Sequence, residues 1–261
     1  LLKYIFYLFD KDINPLKSNE FLKFIKLNKK KWTKVNKNKI IDTTKEVILI
    51  ESFLNHPGYT LGNVIVGKYL QLFYRSQCIG LLRKGDIKAE VIFRSFGINK
   101  FYYYKIGSFY QRCKYIYKSI IILKDIKNVK KFCKIKLKKI DIGLTSYDTF
   151  MRYTRNPTSK KVNFKLILFF AEALYANDFF EKIFHNSNIT KLVQSECQFI
   201  PLNILFQKAL IKKKKIYAKF GKNKIFIRIF TNFNQRYKFR GTFSKDLFDE
   251  VFNRFKSKSI K

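Results

Sequence analysis

Paired cysteines, acidic residues and long apolar runs are what this chain has least of. Its four cysteines, Cys78, Cys113, Cys133 and Cys197, are widely spaced, with no C-x-x-C and no metal-ligand spacing. That pattern argues against a disulfide framework and the common zinc folds, and predicts buried free thiols in a reducing compartment. No apolar run approaches the roughly eighteen residues needed to span a bilayer. The apolar start, Leu1 to Phe9, is short and meets Asp10, so it does not read as a signal peptide. Methionine occurs once, at Met151, and the chain opens on Leu, which predicts either a processed start or a fragment of a longer reading frame. Acidic residues number 18 against 55 Lys and Arg, a net charge of +37. Such an excess invites a nucleic-acid or anionic-membrane reading. Yet only ten of the basic residues are Arg, while Lys, Asn, Ile, Phe and Tyr, the residues of A/T-rich codons, are all abundant. Phosphate and base recognition favours the Arg fork, so most of the charge reads as composition bias, with weak adhesion to any polyanion as its consequence. The G-x-G-x-x-G, Walker A, H-E-x-x-H and G-x-S-x-G motifs are absent too, so the chain carries none of the common cofactor and hydrolase fingerprints.

What is there is a core-forming chain: 47% of its 261 residues are hydrophobic. Residues 1–45 read as a basic arm or helical preamble. From Glu46 onward apolar runs alternate with amphipathic helical patterns. Strands are expected at 46–50, 78–82, 100–104, 191–195 and 215–219. Helices are expected at 62–75, at 87–96 after the N-cap Asp86, from Ser108 to about Leu123, from Asn163 to about Phe184, and at 202–210. The basic segment 124–139 reads as a helix end or an inserted loop, 141–155 as irregular and turn-rich, and 243–255 as an amphipathic helix. No repeats or Gly/Ser linkers interrupt 46–240, and 241–261 reads as a C-terminal helix leading to a further domain. The expected fold is therefore α/β, a doubly wound Rossmann-like parallel sheet with helices on both faces.

Three clusters carry polar chemistry. The loop after the first strand holds Glu51, Asn55, His56 and Gly58. His56 suits a general base near neutral pH, with Glu51 close enough in sequence to orient it; the alternative is a histidine in an ordinary βα loop. Tyr147 to Thr158 crowds Tyr147, Asp148, Arg152 and Arg155 together, a set suited to a sugar or a phosphate. Its alternative is an Asp148–Arg152 pair at a helix start followed by a Pro turn. Glu196 stands just beyond a predicted strand end, and the Lys212–Lys215 run reads as a solvated strand approach.

These segments, in this order, resemble bacterial surface-carbohydrate biosynthesis proteins of capsule or lipopolysaccharide, which are glycosyltransferase-like with a two-domain GT-B architecture. The residues that carry the resemblance are His56-Pro-Gly-Tyr59, Gly62 to Leu70, Arg94 to Tyr103, Gly143 to Tyr153 (GLTSYDTFMRY), Asn156-Pro-Thr158 and the apolar helix after Asn163. It spans about Glu46 to Lys219. It departs at Glu196 and Cys197, where a His would be expected, and at Lys208, where an Arg would be expected. The resemblance implies the amino-terminal, acceptor-holding half of a longer transferase, inactive alone. His56 would be the base with Glu51 behind it, and Asn55, Gly58, Tyr147, Asp148, Arg152, Arg155 and Glu196 would contact substrate. It implies no resident cofactor and no metal, a nucleotide-sugar co-substrate held mainly by a second domain, and a glycan or lipid-linked acceptor. The expected place is the cytoplasm, at the inner face of the membrane, with peripheral contact to anionic lipid. The competing expectation is a basic RNA-binding protein of ribosomal type, which predicts tight and steeply salt-dependent RNA binding. A noncatalytic protein on the same fold is a third.

Overall fold

Val47-Ile-Leu-Ile-Glu-Ser52 lacks the polar alternation of a half-solvated strand, as expected of a strand covered on both faces. The computed structural model describes residues 19–38, 46–54, 56–105, 108–155, 159, 161–220 and 226–239. That run is β1 (Val47–Ser52), followed by β2 (Gln77–Arg83), β3 (Phe101–Tyr104), β4 (Ile189–Gln194), β5 (Lys215–Phe220) and β6 (Phe226–Phe230). The strands form one sheet in the order β3-β2-β1-β4-β5-β6. Neighbours are parallel except β6, which runs antiparallel to β5. This is the Rossmann-like order, in which the winding reverses between β1 and β4.

The helices are α1 (Asn19–Asn38), α2 (Pro57–Tyr74), α3 (Ile87–Ser95), α4 (Phe109–Leu123), α5 (Val129–Cys133), α6 (Ile142–Thr154), α7 (Phe164–Asn186) and α8 (Leu202–Ile211), with a 3-10 turn at Phe233–Phe239. They cover both faces of the sheet. Ile48 and Ile50 of β1 pack with Val64, Ile92, Phe93 and Trp32 on the side of α1 to α3. Leu49 packs with Phe170, Phe180 and Leu205 on the side of α4 to α8. Burying these side chains contributes roughly 1.5–3 kcal/mol each, which is what fixes the strand register.

Capping residues set the helix starts. Asp86 Oδ1 accepts from Ala89 N–H at 3.0 Å, Asn163 Oδ1 accepts from Leu166 N–H at 2.9 Å, and Ser108 and Gln111 form a reciprocal capping box. Gly97, at φ 76°, ends the turn after α3.

Four expectations are corrected. α2 begins at Pro57, five residues earlier than the periodicity suggests, because His56 caps it. Residues 141–155 are mostly helix, as α6. β6 has no counterpart among the expected strands, and it is an exposed edge strand. Of the four thiols, Cys78 and Cys197 are buried, but Cys113 is exposed. The preamble contributes α1, docked on α3 through Trp32 against Phe96 (ring centroids 5.6 Å apart) and Asn28 Nδ2 donating to Ser95 Oγ at 2.8 Å. Residues 241–261, including the expected helix at 243–255, lie outside the described residues, as do Asn55 and 156–158. Among the described residues, no helix is long and apolar enough to cross a membrane.

Candidate functional site

In a sheet of this order the crevice beyond the carboxyl ends of the strands, near the point where the winding reverses, is where ligands gather. Two features lie there. One is a buried polar cluster between β1 and β4, and the other is an open cleft beyond β2 and β3.

The cluster is built on Glu51, 1% exposed at the end of β1. Its carboxylate accepts from Phe53 N–H, and at 3.5 Å from both Ser195 N–H and Asn63 Nδ2. Asn63, in the second turn of α2, also donates to Glu51 O at 2.8 Å and accepts from Ser195 Oγ at 2.6 Å. Ser52 and Thr60 share a hydroxyl contact of 2.7 Å beside them. Burial pushes the Glu51 carboxyl up to about 7, with Phe53 and Ser195 N–H opposing and the nearby Glu196 charge adding to the rise. The cluster therefore stitches α2 to the two strands at the reversal point.

His56 is exposed. Its Nδ1 accepts from Gly58 N–H at 3.2 Å, and its ring meets Tyr59 edge-on at 5.5 Å. Among the described residues no hydrogen bond joins it to Glu51, so the expected His56–Glu51 pair is replaced by a helix cap and a buried anchor. Gly58 sits against the His56 ring: a Cβ there would lie 3.2 Å from His56 Cε1.

The cleft has a volume of about 470 Å³. Arg83 and Lys84 come from the end of β2, Tyr104 and Lys105 from the end of β3, Thr149 and Tyr153 from α6, Phe169 and Glu172 from α7, and Ile200 and Pro201 from the turn into α8. A second cavity of about 280 Å³, between α4 and α7, shares Tyr104 and Glu172 with it. Tyr104 is only 5% exposed, and its hydroxyl has no hydrogen-bond partner among the described residues. Such a group is uncommon in a folded protein, and here it lies in the wall between the two cavities. Burial raises the Glu172 carboxyl above the usual carboxylate range, while the Arg83 and Arg112 charges pull it back. Phe53, Phe179 and Phe180 surround the Tyr104 ring and hold it in place.

The block at Tyr147 to Arg155 does reach this cleft, but through other members than expected. Thr149 and Tyr153, one helical turn apart, line it. Tyr147 stacks on Phe150 and accepts from Ser159 N–H at 3.3 Å, and Arg152 lies over the Phe199 ring at 6.0 Å. Arg155 ends α6 in the left-handed conformation, at φ 54°. Asp148 is half-buried on the same helix. Glu196 turns inward on its own loop, its Oε1 accepting from Cys197 and Gln198 N–H at 2.8 Å each. Lys208 is a tie between α8 and α7, 2.8 Å from Glu181.

Tyr104 and Glu172 were missed by the sequence reading. A signal for Glu172 existed: it is the first acid in α7, embedded in the apolar run Leu166 to Tyr175, where a charge has to have a reason. Among the described residues no three His, Cys, Asp or Glu gather as a metal site. Comparison with protein-family models, with curated proteins and with solved structures gave no match.

Proposed function

We propose that this chain is the acceptor-side domain of a glycosyltransferase-like protein of cell-surface polysaccharide biosynthesis, working in the cytoplasm at the inner face of the membrane. The observation that carries the reading is the pairing of Glu172 with Tyr104 in the wall of the cleft. A carboxyl with raised proton affinity sits there beside an unpartnered buried phenol, and the rings of Tyr153 and Phe169 line the same space. Aromatic faces take the apolar side of a sugar ring, while a carboxylate and a phenol take its hydroxyls. In this reading Glu172 accepts the proton of the acceptor hydroxyl as that oxygen bonds to the anomeric carbon and the nucleoside diphosphate departs with its electron pair. The Arg83 charge opposes the rise that burial imposes on the Glu172 carboxyl. The nucleotide sugar is the co-substrate of a second domain. His56 holds the entrance of α2 rather than moving the proton.

The test is saturation-transfer NMR on the whole chain with a panel of neutral and acidic disaccharides. Binding is expected, and Tyr153→Ala should weaken it about tenfold, the worth of one stacked ring. If no disaccharide binds, or if Tyr153→Ala binds as well as the parent, the reading fails.

A further inference from the structure

α4 has two apolar faces, and among the described residues the fold buries only one. Ser119 and Leu123 are buried on its inner side, and Tyr115 meets Tyr175 of α7 with ring centroids 5.4 Å apart. On the outer side Phe109, Tyr110 and Tyr117 are 68–84% exposed, and Ile120 and Ile121 about half exposed. With 3.6 residues per turn these five fall within one arc of about 120°, Cys113 among them. The helix contains no acidic residue. Lys114 borders the arc, Lys118 stands about 60° beyond its edge and 3.8 Å from Asp178, and Lys124 stands at its carboxyl end.

We propose that this outer face of α4 docks the protein on an anionic membrane surface. A contiguous apolar patch of this kind on a folded domain marks an interaction site. Its chemistry selects the partner: tyrosines and a phenylalanine at the level of the lipid headgroups, isoleucines below them, and lysines whose stems lie along the apolar surface while their ammonium groups reach lipid phosphate. The net charge of +37 favours an anionic surface and opposes a second copy of the same chain. The orientation it gives has a use. The opposite flank of α4, through Arg112, Tyr115 and Ile116, walls the smaller cavity that meets the cleft at Tyr104 and Glu172. A docked α4 therefore stands between that cavity and the lipid, holding it about one helix diameter, ~10 Å, from the surface. The inference stands on the surface of α4 and does not depend on the sugar-transfer reading.

The whole chain is sedimented with vesicles of phosphatidylcholine alone and of phosphatidylcholine mixed with phosphatidylglycerol. Binding is expected for the mixed vesicles. Tyr117→Ser with Ile121→Ser should weaken it about tenfold, since two exposed apolar groups are removed from the lipid without touching the core. Lys114→Gln with Lys118→Gln should weaken it about thirtyfold, at about 1 kcal/mol per lysine. In a Tyr117→Trp variant the added indole emission should shift to the blue on mixed vesicles and be quenched by lipids brominated on their chains. If the Tyr117/Ile121 double variant binds as well as the parent, or that added emission does not move, net charge alone drives adsorption and the proposal is overturned. It is equally overturned if the double variant instead dissolves a self-associated state seen by sedimentation velocity, which would make the face a protein interface.

Discussion

Replacing Glu51 by Gln should flatten the dependence of stability on pH between about 4.5 and 7. In the folded chain the Glu51 carboxyl is fully buried and pushed up to about 7, against an ordinary value of 4.5. Below 4.5 both the folded and unfolded chains hold the proton, and the contribution of this group is complete. As pH rises toward 7 the unfolded chain releases its proton while the folded chain retains it, so stability falls with rising pH and the loss is complete above 7. At 1.36 kcal/mol per unit, the loss comes to about 3 kcal/mol across the window. A glutamine does not ionise. Its amide nitrogen would face Ser195 N–H or Asn63 Nδ2, adding a constant cost of about 1–2 kcal/mol that does not change with pH. Urea denaturation of both proteins from pH 4.5 to 8 isolates the effect, because carboxylates common to both, such as Glu46 and Glu181, cancel in the difference. That difference should move by about 3 kcal/mol in favour of the variant, or about 6–12 °C in melting temperature for a chain of this size. A difference that stays constant across the window would refute the reasoning, since it would mean that the N–H donors keep Glu51 ionised throughout.

Gly67→Ala should destabilise the fold by about 1–3 kcal/mol, because the added Cβ would lie 2.2 Å from Ile50 Cδ1 in a packed core. Adding Ile50→Val removes that atom and should recover part of the loss in the same denaturation assay. Glu181 is held at about 2 by hydrogen bonds from Lys208 and Lys212. Its contribution is therefore present above 4.5 and lost as pH falls toward 2, and Lys208→Met should move the Glu181 midpoint upward in a carbon-detected NMR titration.

The α/β frame was legible because its signals are local. Asp86, Ser108 and Asn163 announce the helices they cap, and fully apolar runs announce strands covered on both sides. α6 was hidden by its composition. Gly143, Thr145, Ser146 and Thr149 read as a turn, yet Thr145, Ser146, Thr149 and Thr154 all donate to the carbonyl four residues earlier, at 2.7–2.8 Å. Their hydroxyls are thus satisfied inside the helix. The glycine is demanded by tertiary contact, since a Cβ at Gly143 would sit 2.0 Å from Phe132 O. β6 was invisible because one strand at an edge, mostly solvated, has little periodicity to show. In the site, Glu51 and His56 were expected to work as a pair, but among the described residues no hydrogen bond joins them. Sequence proximity suggested a pair, whereas strand direction sends the Glu51 side chain inward and leaves the histidine at a helix end. The cleft combines groups from five elements, and only the fold could bring Arg83, Tyr104, Tyr153 and Glu172 to one place.

The reversal between β1 and β4 also has a consequence in time. The two strands that share the Glu51 cluster are far apart along the chain: Glu51 and Ser195 are separated by 144 residues. Everything from β2 to α7 lies in that interval, so its closure carries a large loop entropy and is expected late in folding. The half of the sheet from β1 to β3 needs far shorter closures and can form first, and a partly folded chain then lacks the wall supplied by Ile200 and Pro201. Any process that separates β4 from β1 opens the buried carboxyl to water and dismantles the cleft at once, so binding competence and complete folding are reached in the same event.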